Sequence, residues 1–226
     1  MNKKAVILLS GGLDSTTCLA IAKEKGYDCY ALSFSFGQKH SGEVECAKKI
    51  AKKFQVKDHK ILNLALNELG GSSLVDPDML IPDFSDENKI PSTYVPARNT
   101  IFLSVALGWA ESLEAYDIFF GANYVDYPGY PDCRPEYIAA FENLANLATK
   151  AAVEGSAQFK IHAPLLRMRK SDIIREGARL GVDYSMTVSC YRADAHDGRA
   201  CGSCDPCTYR KNGFQDAALA DPTIYY

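Results

Sequence analysis

The chain has 226 residues, 47% of them hydrophobic, and a formal net charge of -3. That length and apolar content supply the core of one substantial α/β domain with appendages, and the lack of a basic excess excludes a general electrostatic grip on nucleic acid. Only a handful of apolar residues separate Met1-Asn2-Lys3-Lys4 from Ser10, too few for a signal-peptide core or a membrane span, so a cytoplasmic protein without membrane association is expected, its eight cysteines reduced.

Residues 5–9 have the length and bulk of a short buried strand, and Cys18, Leu19 and Ala22 follow Ser15 at helical spacing. The segment therefore reads as strand, tight turn through Gly11 and Gly12, then helix. In that geometry the helix start offers unpaired N–H groups and the positive end of its dipole to an anion. The patterns G-x-x-x-x-G-K-[ST] and G-x-G-x-x-G are both absent here, and the loop has no lysine. Ser-Gly-Gly-Leu-Asp-Ser-Thr suits a pyrophosphate held by amides and hydroxyls, with Asp14 available to help hold Mg²⁺. The plain alternative is a capped turn in which Ser15 or Asp14 satisfies the helix N–H groups.

Further strands are predicted at residues 29–34, 59–64 and 118–120, and helices at 15–25, 41–54, 99–113, 135–153 and 170–180. Such alternation argues for a parallel sheet covered on both faces. In the second helix the basic run Lys48 to Lys53 alternates with Val44, Ala47, Ala51 and Phe54 at helical spacing, which reads as a solvated face. Ser171 and Gly181 supply a cap and a stop for the last helix. Residues 70–97, with four prolines and little periodicity, read as a long ordered excursion or a lid. From Met186 the chain turns rich in Cys, Gly and Asp, which suggests a main domain over 1–185 and a small module over 186–226.

Cys190, Cys201, Cys204 and Cys207 have the spacing C-x10-C-x2-C-x2-C, with turn-forming Gly202, Ser203, Asp205 and Pro206 between them. Four thiolates through tight turns suit one tetrahedral Zn²⁺ per chain, with sulfur at about 2.3 Å. A four-cysteine iron–sulfur cluster is the competing reading, and His196 is an alternative to Cys190 as fourth ligand. Four protein ligands leave no open position, so the metal would fold the module and perform no chemistry. Cys18, Cys29 and Cys46 lie in apolar contexts and read as packing residues.

SGGLDST resembles the signature of the PP-loop ATP pyrophosphatases, which split ATP to AMP and pyrophosphate while adenylating a carboxylate or amide oxygen. The resemblance implies a Rossmann-like, HUP-type sheet with the nucleotide at the carboxyl ends of its strands. It implies ATP contacts from Leu8, Leu9, Ser10, Gly11, Gly12, Leu13, Asp14, Ser15, Thr16, Thr17 and Cys18, and adenosine near Ser33, Phe34 and Gln38. His40 is either a further contact or a surface residue after a turn.

Further along, LGGSSL (69–74), TYVPARNTIFLS (93–104), DYPGYPDCRPEYI (126–138) and VSCYR (188–192) join the cysteine tail in resembling the 7-cyano-7-deazaguanine synthase family of the queuosine pathway, over nearly the full length. That resemblance implies conversion of 7-carboxy-7-deazaguanine to the nitrile with ammonia and ATP, through an adenylated carboxylate, an amide and an adenylated amide, by a homodimer. No Ser-His-Asp or Cys-His arrangement is present, so positioning and charge neutralisation carry the catalysis. Asp14 and Ser15 of the loop, with Arg98 and Lys170, are the catalytic candidates; the alternative for the two cations is surface ion pairing. Asp126, Tyr130, Asp132 and Arg134 are the substrate-binding candidates, since an Asp accepts from a guanine-like N–H edge and an Arg faces a carboxylate. The alternative there is a structural turn ahead of Pro135. Another PP-loop enzyme, such as an amide-forming or tRNA-thiolating one, is the nearest rival, and a noncatalytic nucleotide-binding or zinc-ribbon module is the third reading.

Overall fold

The computed structural model describes residues 3–39, 42–85, 89–125, 129–194 and 198–226. Five strands, β1 (Lys4–Leu8), β2 (Asp28–Ser35), β3 (Asp58–Asn63), β4 (Asp117–Phe119) and β5 (Lys160–His162), form one sheet in the order β3-β2-β1-β4-β5. Every pairing is parallel. Parallel neighbours need crossovers, and the helices that supply them cover both faces. These are α1 (Leu13–Glu24), α2 (Gly42–Lys53), α3 (Arg98–Ser112), α4 (Pro135–Ala148), α5 (Lys150–Val153), α6 (Lys170–Arg179) and α7 (Asp205–Ala217).

The central strand shows why both faces are needed, because Ala5, Val6 and Ile7 are all fully buried. Successive side chains point to opposite faces. Val6 and Leu8 therefore pack with Leu103 and Ala106 of α3 and Phe141 of α4, while Ala5 and Ile7 pack with Leu19 of α1, Ile50 of α2, Ile173 of α6 and Phe214 of α7. The chain switches sides of β1 between β3 and β4, which opens a crevice at the carboxyl ends of β1 and β4.

Four strands and the helical periodicities stand where the sequence predicts them, and Lys48, Lys49, Lys52 and Lys53 are exposed. The single helix expected over 135–153 is two. Thr149 turns its own hydroxyl back to the Ala145 carbonyl at 2.8 Å and is extended, with φ -110° and ψ 146°. A fresh helix then starts with Lys150 N–H on Glu111 Oε1 at 2.7 Å. The α6 boundary also moves: Arg169 takes the N-cap position and Ser171 is buried in the first turn, whereas Gly181, at φ +75°, ends the helix as expected. Strand β5 and helix α7 carry no expectation from the sequence. Asp205 and Pro206, read as turn formers, occupy the first turn of α7, and Phe214 and Ala217 on that helix enter the main core.

The 70–97 excursion is largely fastened down. Ser72, Ser73 and Thr93 are buried, Ser73 N–H donates to the Ser92 carbonyl at 2.8 Å, and Leu74, Val75, Ile81 and Val95 join the α3 side of the core. Its far end meets the cysteine segment through Phe84 N–H on the Ser203 carbonyl at 2.8 Å and an Arg192–Asp83 ion pair. Among the described residues no helix is long and apolar enough to cross a membrane.

The turn after β1 is packed closely against the backbone of α2. Gly11 has φ +91°, and a Cβ there would stand 2.2 Å from the Glu43 carbonyl and 2.9 Å from Ala47 N in α2. Gly26, at φ +79°, has open space around the same position. Gly11→Ala is expected to cost about 2–5 kcal/mol, combining left-handed strain with a clash against rigid backbone. Gly26→Ala is expected to cost about 1–2 kcal/mol from the backbone alone. Denaturant unfolding of the two variants, followed by circular dichroism, separates the contributions.

Candidate functional site

A cavity of about 250 Å³ opens at the carboxyl ends of β1, β2 and β4. Its floor is the loop Ser10 to Ser15. Ser10 N–H donates to Ser15 Oγ at 3.1 Å, the two serine hydroxyls are 2.9 Å apart, and Gly12 N–H donates to Ser10 Oγ at 3.2 Å. Thr16 Oγ1 donates to the Gly12 carbonyl at 2.8 Å. The hydroxyls thus brace the loop against itself. Gly12 is the N-cap of α1 and no side chain caps it, so the capped-turn alternative is not what forms. The first-turn amides remain at an end of the helix where an anion is favoured. Gly121, after β4, lets that strand end approach, for a Cβ there would lie 3.2 Å from Ser15 N.

Asp14, on the first turn of α1, receives Lys170 Nζ on both carboxylate oxygens at 2.8 Å. The Lys170 side chain is 8% exposed. Lys170 opens α6, and its stem lies over Gly213 of α7, where a Cβ would come within 2.4 Å of Lys170 Cγ. Across the cavity, Arg98 opens α3, with its guanidinium 5.9 Å from the Phe36 ring centre. Burial lowers its proton affinity, but Tyr191, Tyr130, Asp132 and Cys133 around it more than offset this and hold it above its ordinary value. The apolar wall comes from Phe34, stacked on Phe102 with ring centres 4.1 Å apart. Gln38 shapes the loop beyond β2, its Oε1 accepting from Phe36 N–H at 2.7 Å.

Of the residues expected at the site, Leu8, Leu9, Ser10, Gly12, Leu13, Asp14, Ser15, Phe34, Gln38, Arg98, Tyr130 and Lys170 line this cavity. Gly11, Thr16, Thr17, Cys18 and Ser33 lie behind the lining. Thr17 Oγ1 is 2.8 Å from the buried Tyr184 hydroxyl, and Ser33 Oγ donates to the Leu9 carbonyl at 2.5 Å and is 2.8 Å from His59 Nε2. Asp132 is buried beneath Arg98, accepting from Asn99 N–H at 3.1 Å, and burial holds its carboxyl above the usual range. Its other oxygen, Oδ1, has no hydrogen-bond partner among the described residues. Arg134 is exposed and donates from Nε to the Pro131 carbonyl at 3.0 Å, at the N-cap of α4. Asp126, His40 and His196 lie outside the described residues.

Several lining residues were not among the site candidates read from the sequence, and Glu43, Tyr191 and Arg210 carry chemistry. Glu43, on the first turn of α2, is half-buried and its carboxyl is pushed up to about 7 by burial, against the pull of Arg98. Tyr191 follows Cys190 directly and hydrogen bonds with Tyr130. Arg210 of α7 is anchored by Asp221 at 3.0 Å and Thr187 Oγ1 at 2.8 Å. Glu43 stands five residues after Gln38 in the same post-β2 stretch, and Tyr191 lies inside VSCYR; both segments were legible, but which side chains turn inward was not.

Beyond Tyr191 the Sγ atoms of Cys190, Cys201, Cys204 and Cys207 all lie within 4.8 Å of one another, an arrangement able to hold a metal ion. Two of their separations, Cys201 to Cys207 and Cys190 to Cys204, are 4.0 Å. Backbone N–H groups of Arg192 and Cys201 point at Cys190 Sγ at 3.2 Å, and that of Cys204 points at Cys201 Sγ at 3.4 Å. Such donors favour thiolates.

A family model described as "Queuosine biosynthesis protein QueC" matches residues 4–218. The chain is 61% identical over 223 residues to the 7-cyano-7-deazaguanine synthase of Coxiella burnetii (strain RSA 331 / Henzerling II), covering 99% of this chain and 98% of that one. It is 60% identical over 224 residues to the synthase of the same name from Stutzerimonas stutzeri (strain A1501), covering 99% of each. Among solved structures, a "predicted subunit of tRNA methyltransferase" from Methanocaldococcus jannaschii has a TM-score of 0.51 at 15% identity over 99% of this chain and 92% of that one. NMN synthetase from Francisella tularensis has a TM-score of 0.51 at 14% identity over 97% and 78%. Those two share the fold, whereas the family match and the high identities run the length of the chain: it belongs to the QueC family of queuosine biosynthesis proteins, the 7-cyano-7-deazaguanine synthases, and is an enzyme of that ligase class.

Proposed function

We propose that this protein converts 7-carboxy-7-deazaguanine and ammonia to 7-cyano-7-deazaguanine, with two ATP molecules split to AMP and pyrophosphate. The observation that carries the reading is the meeting, in one cavity, of the uncapped start of α1, the Asp14–Lys170 pair, Arg98 and the Phe34–Phe102 wall. A carboxylate is a poor electrophile, so one oxygen first attacks the α phosphorus and expels pyrophosphate. Ammonia then displaces AMP to leave the amide. The amide oxygen attacks a second ATP in the same position, and loss of AMP gives the nitrile. The first-turn amides of α1, Arg98 and Lys170 stabilise charge on the phosphates, Ser15 braces the loop, and Phe34 and Gln38 flank the adenosine. Mg²⁺, held in part by Asp14, neutralises phosphate charge when bound. Tyr130, on the cavity lining, contacts the deazaguanine in this reading, and Asp132 acts through Arg98; Asp126 and Arg134 remain candidates from the resemblance alone.

The four thiolates hold one Zn²⁺, because sulfurs 4.0 Å apart suit a single tetrahedral ion, for which about 2.3 Å bonds give separations of roughly 3.8 Å. A four-iron cube carries its cysteines on separate irons and spreads them further. The zinc braces residues 186–226 as a module against the domain of residues 1–185. The protein acts in the cytoplasm as a homodimer on small molecules, without nucleic acid or membrane.

Given ATP, Mg²⁺, ammonia and the carboxy-deazaguanine, the full-length protein is expected to release AMP and produce the nitrile by mass spectrometry. No mass change in the substrate, under conditions where ATP binds, would overturn the assignment. Lys170→Met is expected to lower kcat by about 100-fold or more, since it removes a cation from the phosphate site. Metal analysis is expected to find about one zinc per chain, and Cys204→Ser to lose it together with several degrees of Tm. Full retention of both would refute a structural metal.

A further inference from the structure

Ammonia has three N–H bonds and a nitrile nitrogen has none, so the reaction proposed above sheds three protons from nitrogen in each turnover. The first leaves as ammonia adds to the acyl adenylate and AMP departs. The second leaves as the amide oxygen bonds to phosphorus, giving an imidate adenylate with a C=N–H group. The third leaves as the C–O bond breaks, its electron pair going with the AMP oxygen while the N–H electrons form the third C–N bond. Each step needs an acceptor beside the reacting carbon.

The cavity limits the choice. Asp14 has both oxygens engaged by Lys170, and Asp132 lies behind the lining. Burial pushes the Cys133 thiol up to about 12. Cys190 belongs to the metal cluster. Among the described residues Glu43 is the remaining carboxylate on the lining, and its side chain has neither a hydrogen bond nor an ion pair with them. Its place is set by backbone, because the Glu43 carbonyl packs on Gly11 of the phosphate loop. The charged and titratable groups around it are Arg98 from α3, Tyr191 from the cysteine segment, Cys46 on its own helix, Lys39 from the preceding loop, and the Asp14–Lys170 pair across the floor.

We propose that Glu43 is the proton acceptor of the ligation site, receiving the protons shed by nitrogen as the amide and then the nitrile form. The inference rests on reading this cavity as the site of ligation. Burial, opposed by Arg98, leaves the Glu43 carboxyl near 7, so it takes and returns protons close to neutrality, where a general base is most effective.

The test uses the full chain with the amide as substrate, which isolates the nitrile-forming half, and follows kcat against pH. Wild-type activity is expected to fall on the acid side as Glu43 is protonated. E43Q is expected to lose that limb and about 100-fold or more in kcat, with KM for ATP held within about threefold. A kcat within about threefold of wild type, or a rise in KM for ATP that accounts for the whole loss, would overturn the proposal. If E43Q does not fold, E43D decides: a shortened carboxylate is expected to slow kcat at least about tenfold and move the acid limb, and wild-type behaviour refutes the role. A wild-type protein that makes no nitrile from the amide sinks the ligation reading itself, an outcome separate from any effect of E43Q.

Discussion

Two opposite charges held largely out of water organise this site. Removing Asp14 and Lys170 from solvent carries a desolvation cost that their attraction offsets only when the geometry is good. Here it is, since one ammonium nitrogen meets both carboxylate oxygens at 2.8 Å. The pair fixes the start of α1 against the start of α6, two helix ends whose dipoles both present positive potential to the cavity. It also depends on a third helix, because the lysine stem crosses α7 where Gly213 leaves no side chain in its way. Under the function proposed above, a nucleotide arriving with its own cation would redistribute the pair, with Lys170 turning to phosphate oxygens and Asp14 to the metal. The structure thus keeps in store, as one bonded unit, the cation and the carboxylate that phosphate chemistry uses separately.

The Arg98 side is built in the opposite way. Its guanidinium faces phenols and one aromatic ring, and the carboxyls that act on it are Asp132 and Glu43, both held above their ordinary values by burial. Asp132 is itself left with one buried oxygen that has no hydrogen-bond partner among the described residues. One side of the cavity holds its charges paired and the other holds them apart.

Much of this was legible in the residues. The SGGLDST loop, its strand and its helix could be read from apolar spacing and two glycines, and the alternation of runs gave the parallel sheet. The cysteine spacing alone announced the cluster. What escaped notice depended on distant partners. Strand β5 is three residues long and exists by pairing with β4, and α7 hides its apolar positions among cysteine, glycine and charge. The break at Thr149 lies in a hydroxyl that bonds its own helix, a choice that periodicity cannot express. Within the site, the motif included Thr16, Thr17 and Cys18, but a helix turns through about 100° per residue, so residues just past Ser15 rotate into the core. Glu43 was missed for the complementary reason, since only the packing of α2 on Gly11 shows which face of its first turn meets the loop.

The clamp between the excursion and the cysteine segment carries a consequence for the order in which the protein comes together. Arg192 and Asp83 are 109 residues apart in sequence, and Tyr191, one residue before that arginine, closes the cavity beside Arg98. Contacts of such separation repay their loop-closure entropy late, after strands with nearer neighbours have paired. The pairings among β1, β2 and β3, such as Lys4 with Asp28 and Tyr30 with Asp58, close over far shorter loops than Ala5 with Asp117 of β4 or the clamp itself, and the far wall of the cavity arrives with the last stretch of chain and its four sulfurs. In that order the loop after β1 and its first strand neighbours precede the wall that Tyr191 adds, and a metal held by those four sulfurs would fasten that wall in place.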